Sequence, residues 1–582
     1  MPPVKTTIPF LCPMGLAARV SLPALVVASL LSCPTWAQSP ADAAQRDQFE
    51  QRRAAERERQ QREALQRGTD VFGGAEAAPP RQDWPATETP CVAIERVRVR
   101  GEAADSFGWV ADALTQGPDP AVGRCLGTEG VSVAVARAQR HLTAQGFVTS
   151  RVMLEPQDLS RGTLALTLLP GRIGAIRFAE GTSLRATPLN AVPARVGDIL
   201  NVRDVEQALE NLRRVPTVEA DVQIVPGASP ADSELLIQWR QAFPLRLNLS
   251  LDDGGARSTG RYQASATLSV DHWWTLNDLF YFTQGRDLGG GDPGDRGTRN
   301  TSVHYSLPLG YWGLGFNASR HRYFQSVAGL TQDYRYSGRG AQQDITLSRL
   351  LHRDAVAKTT LSLKAFARQS SSFIDDTEVE VQRRRTGGWE LGAEHHRQIG
   401  SSQLDLRAAA KRGTGAFGSR PAPEEPFGEG RSRFKLFSMD LAWSQPFELA
   451  GLRLHWSSHW RGQRERTPLT PQDRFAIGGR YSVRGFDGES SLTGERGWLW
   501  RNELSLLLGD SGQRLYAGVD QGRVGGPSAQ WLVGQRLAGA VLGLRGGWRA
   551  LHYDVFLGVP VHKPEGFRTP HAVAGFQLGA SF

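Results

Sequence analysis

Few side chains in this 582-residue sequence are spaced for chemistry. Glu394, His395 and His396 are the densest group of metal-binding types, but neighbouring residues of a strand project to opposite faces, so the two histidines could not close on one ion. No glycine-rich phosphate loop of the form GxxxxGK followed by Ser or Thr occurs, which argues against a P-loop ATPase within the chain. No serine, histidine and aspartate stand at a spacing that singles out a nucleophilic triad. Of the four cysteines, Cys12 and Cys33 lie in an N-terminal presequence, which leaves Cys91 and Cys125 with one possible pairing. In an oxidising compartment that bridge would tie the first strand of a module to the start of its main helix, stabilising it by roughly 3 to 4 kcal/mol on the loop-entropy model. A zinc role would require a histidine pair nearby, and none is present. These residues predict no enzyme, no cofactor and no metal.

The chemistry that remains is ion pairing, centred on the stretch Gly478-Gly479-Arg480-Tyr481-Ser482-Val483-Arg484-Gly485-Phe486-Asp487-Gly488. It is too rich in glycine for a helix or a strand interior, yet too apolar and aromatic for an ordinary solvated loop. Two readings are open. The stretch is either an invaginated loop, with Arg484 pinned to a carboxylate because a buried guanidinium is tolerated only when paired, or a surface turn with a solvated arginine.

The elements that must position it begin with a leader. Lys5 and Arg19 precede the apolar run Val20 to Leu31, and Thr35-Trp36-Ala37 offers a cleavage site, so residues 1–37 read as a secretory signal peptide. Leu30-Leu31-Ser32-Cys33 offers a rival lipidation site. Residues 38–67 are helix-forming but polar all round, with only Phe49 and Leu65 as large apolar residues from Ala41 onward; such a helix is solvated, disordered or lodged in a polar cavity. Residues 68–90 read as a flexible linker. Two modules of order β-α-α-β-β follow at 91–170 and 171–243. In the first, Val131, Val135, Ala138 and Leu142 share a helix face that Gly146 closes. The second carries a short helix near Leu184, then Asn201 as N-cap of a helix with Val205, Ala208, Leu209 and Leu212 on one face. The first module also offers an edge at Val148 to Leu154, where Val148, Val152 and Leu154 could receive an extended segment by strand addition.

After Pro244 the character changes. Leu245, Leu247, Leu249 and Leu251 alternate with Arg246, Asn248, Ser250 and Asp252, and the same dyads recur to the end of the chain. Aromatic pairs such as Trp273-Trp274 and Tyr311-Trp312 sit at strand ends, as a membrane-interface girdle requires. Residues 244–582 therefore predict a transmembrane β-barrel, and at roughly 20 residues per strand and connection about 16 strands. The last strand ends on Phe582 in phase with its apolar face. Beyond the leader no apolar run approaches the ~20 residues of a spanning helix. The net charge of +9 is spread singly, which predicts no nucleic-acid face.

Pro170-Gly171-Arg172-Ile173, Gln145-Gly146-Phe147-Val148-Thr149, Tyr305-Ser306-Leu307-Pro308-Leu309-Gly310 and Val483-Arg484-Gly485-Phe486 together resemble the TpsB transporters of two-partner secretion, a POTRA-containing outer-membrane barrel superfamily. The paired Cys91 and Cys125 look more like the haemolysin-transporter branch than the adhesin one. The resemblance implies a mainly β chain with two POTRA domains in the periplasm and a 16-stranded barrel in the outer membrane. It also implies that the helix at 38–67 plugs the pore, and that the loop with Val483, Arg484, Gly485 and Phe486 folds into the lumen. There the arginine would meet Asp520 of Tyr516-Ala517-Gly518-Val519-Asp520, where Tyr516 stands in place of the usual phenylalanine. The implied partners are outer-membrane lipid, the barrel assembly machinery for insertion, and a secreted exoprotein with an N-terminal secretion domain, a haemolysin, adhesin or contact-inhibition toxin. No nucleotide is implied. A passive porin and a barrel assembly factor are the rival readings.

Overall fold

Hydrophobic patterning divides the computed structural model into two α+β modules and a large barrel. The structure describes residues 50, 53, 56–59, 62, 71–72, 82–329 and 331–582. The expected leader at 1–37 and most of the expected helix at 38–67 lie outside the described residues.

In the first module, strand Arg96–Arg100 runs parallel to Thr163–Leu169, which pairs on its other side with the short edge strand Arg151–Met153. Helices Gly108–Thr115 and Thr128–Ala144 cover one face, and Phe107, Val110, Leu114, Val131, Ala138, Leu142, Leu164 and Leu166 interlock beneath them. Gly146 closes the long helix at φ 94°, a conformation that costs a residue without Cβ nothing. Cys91 and Cys125 are joined by a disulfide. The stretch read as a linker is partly docked: the Trp84 ring lies 4.2 Å from the Arg137 guanidinium carbon, and Glu88 accepts the N–H groups of Gly127, Glu129 and Gly130 at 2.7, 2.8 and 3.0 Å. Glu88 thus caps the long helix from outside it, where the helix dipole favours an anion. Desolvation opposes its charge, but the three N–H groups outweigh that and hold its carboxyl below the usual carboxylate range. A depressed carboxylate contributes stability above its unfolded pKa and loses it as pH falls through the folded value. Glu88→Gln is therefore expected to lower the thermal midpoint of this module at neutral pH, with the difference from the parent closing under acid conditions.

The edge strand is shorter than the expected Val148 to Leu154. Gln139 of the long helix donates to Ser150 O at 2.9 Å and accepts from Val152 N at 3.0 Å, and Ser150 Oγ accepts from Gly171 N at 3.1 Å. These contacts draw 148–150 into the junction between the modules, so Val148 packs against the second module's core and is not an edge residue. Val152 stays in the edge strand, and Leu154 is 46% exposed beside it.

The second module repeats the plan, with Arg172–Phe178 parallel and Val218–Pro226 antiparallel to the central Asp232–Gln241. Asn201 Oδ1 accepts from Arg203 N at 2.9 Å and caps helix Val202–Leu212, whose Val205, Ala208 and Leu212 are buried. The short helix expected near Leu184 does not form. Pro188 and Pro193 between Gly181 and Gly197 leave no run long enough for one, and Leu184 is fully exposed.

Sixteen long antiparallel strands close into a barrel, from Leu245–Asp252 to Val573–Ser581, with the two-residue strand Thr377–Glu378 added at one hairpin. Closure pairs Ser581 with Asn248 and Gln577 with Asp252, and Phe582 exchanges both backbone hydrogen bonds with Leu247 at 2.9 and 3.0 Å. Leu245, Leu247, Leu249, Leu314, Phe316, Leu347 and Leu363 are exposed on the outside, while His304, Asn317, Asp344 and Asp520 are buried on the inside. Polar residues face the lumen and apolar ones the lipid.

Candidate functional site: a loop pinned across the lumen

Between strands Leu452–Glu465 and Arg496–Leu507 the chain turns into the lumen and forms a small hairpin, Phe475–Ile477 with Leu492–Gly494. Phe475, Ile477, Val483, Phe486 and Leu492 give it an apolar core of its own, packed against Leu499, Val524 and Leu537 of the wall and Phe567 of the connection between strands Leu551–His562 and Val573–Ser581. That core is why the sequence is too apolar for a solvated loop.

Arg484, 6% exposed, is the centre of its polar side. Its Nε and Nη2 donate to Asp520 Oδ2 and Oδ1 at 2.7 and 2.9 Å, and its backbone N–H donates to Asp520 Oδ2 at 2.9 Å. Its Nη1 donates to Glu503 Oε2 at 2.6 Å. The arrangement is a fork against a carboxylate, which a lysine could not reproduce. Arg545 lies 2.8 Å from Glu503 and its guanidinium covers the Tyr516 ring at 3.9 Å, while Arg501 lies 3.7 Å from Asp520. Tyr516 donates to Asp554 Oδ1 at 2.7 Å, so its hydroxyl adds a bond that a phenylalanine would lack.

The loop can lie this close because the wall lacks side chains beneath it. A Cβ on Gly518 would fall 2.6 Å from Arg484 Nη2, on Gly539 1.9 Å from Arg484 O, and on Gly558 2.8 Å from Gly485 Cα. These glycines stand on three adjacent strands. Gly485 itself takes φ 101°, with Val559 O 2.5 Å from where a Cβ would be. Gly539→Val is accordingly expected to unseat the loop, read as faster hydrogen exchange at Val483 to Phe486.

Two further anchors hold the loop to other walls. Asp473, at its entrance, pairs with Arg368 at 2.7 Å and Lys411 at 3.4 Å, from strands Ala357–Ile374 and Ser402–Thr414. Arg480 pairs with Asp253 at 2.6 Å and Asp252 at 3.5 Å, beside the first strand. Glu503, Asp473 and Arg480 were not singled out by their sequence surroundings. Glu503 follows from parity alone once Leu499 is known to face inward; for Asp473, no nearby residue signals its partners.

The described residues of the N-terminal helix lie inside the same lumen. Glu50 and Arg53 are 3% and 7% exposed. Arg53 Nη2 donates to Gly488 O at 2.5 Å and Asp487 O at 3.3 Å, joining helix to loop. A cavity of about 210 Å³ remains around Arg53, Glu56, Asp253, Arg480 and Asp487. One turn or more further on, Glu58 and Arg62 line a gap with Tyr281, His304 and Asn317. Phe72 then stacks on His396 at 5.3 Å, and Val71 O accepts from Arg353 at the end of strand Asp333–Arg353. His396 itself is tied to Asp405 at 2.7 Å, and His395 to Thr359 at 2.9 Å, so the two histidines do face opposite ways. Among the described residues no group of His, Cys, Asp and Glu is arranged to hold a metal ion.

The sequence matches the family described as haemolysin secretion/activation protein ShlB/FhaC/HecB over residues 231–546. A POTRA domain of ShlB type matches 92–171 and a POTRA domain 172–226. The outer membrane transporter CdiB-2 of Burkholderia pseudomallei is 35% identical over 96% of this chain and 99% of its own. The hemolysin transporter protein ShlB of Serratia marcescens is 24% identical over 69% of this chain and 71% of its own. Among solved structures, CdiB from Acinetobacter baumannii superposes with a TM-score of 0.83 at 31% identity, covering 94% of this chain and 100% of that one.

Proposed function

The chain belongs to the haemolysin secretion/activation family, outer-membrane transporters of two-partner secretion, and from that premise we propose that the N-terminal helix is its movable plug and the Arg484 loop its fixed lumenal element. The observation that carries this is the difference between the two elements. The loop owns an apolar core and three sets of buried ion pairs to the wall. The helix is polar all round, so leaving the lumen exchanges protein hydrogen bonds for water without exposing an apolar face. The partner is a secreted exoprotein, unfolded in the periplasm, and its folding outside gives transport its direction. The chain acts as a transporter and not as a catalyst.

Arg53 tests the plug. Its two bonds to loop carbonyls come from a charged donor, a class worth about 1.5 to 3 kcal/mol each. Arg53→Ala is expected to shift the helix toward the open state by roughly tenfold or more, seen as a higher open probability in planar-bilayer recordings. An unchanged open probability would remove the helix from the gating role.

Capture of the exoprotein uses strand addition at Arg151–Met153, with Val152 and Leu154 as the side chains that meet it. Gln139 occupies the outward groups of this edge, so an incoming segment must displace it. Val152→Pro removes an outward donor without touching the internal ladder. It is expected to abolish secretion while leaving the barrel in the outer membrane; normal secretion would sink the edge as the capture site. Insertion by the barrel assembly machinery would use the closing strand, and Phe582 is the aromatic residue it would read.

A further inference from the structure

The second POTRA module carries apolar side chains that its own core does not use. Leu184 is fully exposed and Leu189 and Val196 largely so, all within the irregular segment that replaces the expected helix. This segment is not free to fold them away. Arg185 Nη2 donates to His272 O at 2.5 Å, and His272 Nε2 donates back to Arg185 O at 2.8 Å while its Nδ1 accepts from Asn277 N at 3.0 Å. Asn190 donates to Pro308 O at 2.8 Å and to Leu276 O, and its own carbonyl accepts from Gly310 N at 2.8 Å. Leu184 and Leu189 are thus each one residue from a clamp onto the turns that join the barrel's first strands.

Those turns carry the barrel's aromatic rim. Trp273 and Trp274, next to His272, are 46% and 62% exposed and stack at 5.6 Å. Trp273 also packs on Phe280 at 4.9 Å. Phe280 shares its side of the strand with exposed Phe282, because Leu279 and Tyr281 are buried toward the lumen. Trp312, beyond Gly310, is 42% exposed in phase with the lipid-facing Leu314 and Phe316. Phe243, 73% exposed, extends the stripe of Leu245, Leu247 and Leu249 below the first strand. Aromatic residues at this level mark the boundary of acyl chain and headgroup. Between Ser183 and Val196 the segment holds Arg185 and Arg195 and no acidic residue, a composition suited to anionic headgroups.

We propose that the segment from Ser183 to Val196 is a membrane-contact surface, with Leu184 and Leu189 entering the periplasmic phospholipid leaflet beside the Trp273, Trp274 and Trp312 rim. The second module is then seated on the bilayer as well as on the barrel, which fixes the direction from which the first module presents its edge.

The test uses the full chain in vesicles of phosphatidylethanolamine and phosphatidylglycerol, with an environment-sensitive fluorophore on the one added thiol of Leu184→Cys or Leu189→Cys, Cys91 and Cys125 staying in their disulfide. Expected are a blue-shifted emission relative to detergent and its loss when the acyl chains are brominated. Leu169→Cys, exposed on the first module, should show neither. Emission at 184 and 189 that matches the 169 control overturns the proposal. So does a shift that arises only when the exoprotein's secretion domain is added, which would assign the patch to cargo. Heat-modifiable migration of each variant verifies that its barrel is folded.

Discussion

Arg484→Glu is expected to stop secretion, because it places a third carboxylate against Asp520 and Glu503 in a site that water scarcely reaches. Asp520 is 0% exposed, and removing one partner from such a pair costs about 3 to 5 kcal/mol by leaving the other charge buried and uncompensated. Arg484→Ala should be milder than the reversal. Arg501 and Arg545 remain near the two carboxylates, at 3.7 and 2.8 Å, and offset part of the loss. Asp520→Ala should exceed Glu503→Ala, since Asp520 accepts three bonds from Arg484, one of them from its backbone N–H, and Glu503 accepts one. That backbone bond also limits rescue. Exchanging the charges, with Arg484→Asp and Asp520→Arg together, restores attraction but not the backbone acceptor, and the longer side chain must now grow from the wall. The double variant is therefore expected to secrete more than either reversal and less than the parent. The measurement is exoprotein in the medium normalised to folded barrel in the membrane. Normal secretion by Arg484→Ala would show the pairing to be dispensable and move the loop's role elsewhere.

How much of this was legible beforehand depends on the distance over which each feature is decided. The barrel was legible because lipid and lumen impose a period of two on every strand, so Leu245, Leu247 and Leu249 declare their face locally. Arg484 was legible because its neighbours suit neither a strand nor a solvated loop. Its partner Asp520 is legible only through the family resemblance; parity can turn Glu503 inward, but opposing it to Gly518 needs the register of two strands. Asp473 is less legible still, with Arg368 105 residues away and Lys411 62. The edge expected at Val148 to Leu154 shortens to Arg151–Met153 because Gln139, from a helix, takes up backbone groups at Ser150 and Val152. The repeat's plan predicts a helix around Leu184, whereas two prolines and the segment's clamps to the barrel decide it.

The junction of module and barrel carries the second large effect, and nothing in the sequence pointed to it. Arg353, its side chain 2% exposed at the end of a barrel strand, lies 3.3 Å from Glu206 and 3.0 Å from Glu210, and donates to Gln207 at 2.9 Å, all on helix Val202–Leu212. It also donates to Val71 O and lies 5.9 Å from the Phe72 ring. One guanidinium therefore ties the barrel, the second module and the chain leading to the plug. Arg353→Ala leaves Glu206 and Glu210 with Arg203 and Lys358 as their remaining cations, at 2.5 and 3.0 Å, so the helix keeps some compensation while its link to the strand end is lost. The cost falls on docking and not on the barrel, and by the measure for a truncated buried pair amounts to about 3 to 5 kcal/mol. Secretion is expected to fall at least tenfold, with heat-modifiable migration unchanged. Spin labels on the second module and the barrel should report a broadened distance distribution. Arg353→Lys, which keeps the charge but reaches only one carboxylate at a time, should lie between the two. A distribution as narrow as the parent's in Arg353→Ala would place the docking strength in Arg185, Asn190, Asn211, Arg214 and Gln241 instead, side chains of the module that donate to barrel backbone carbonyls.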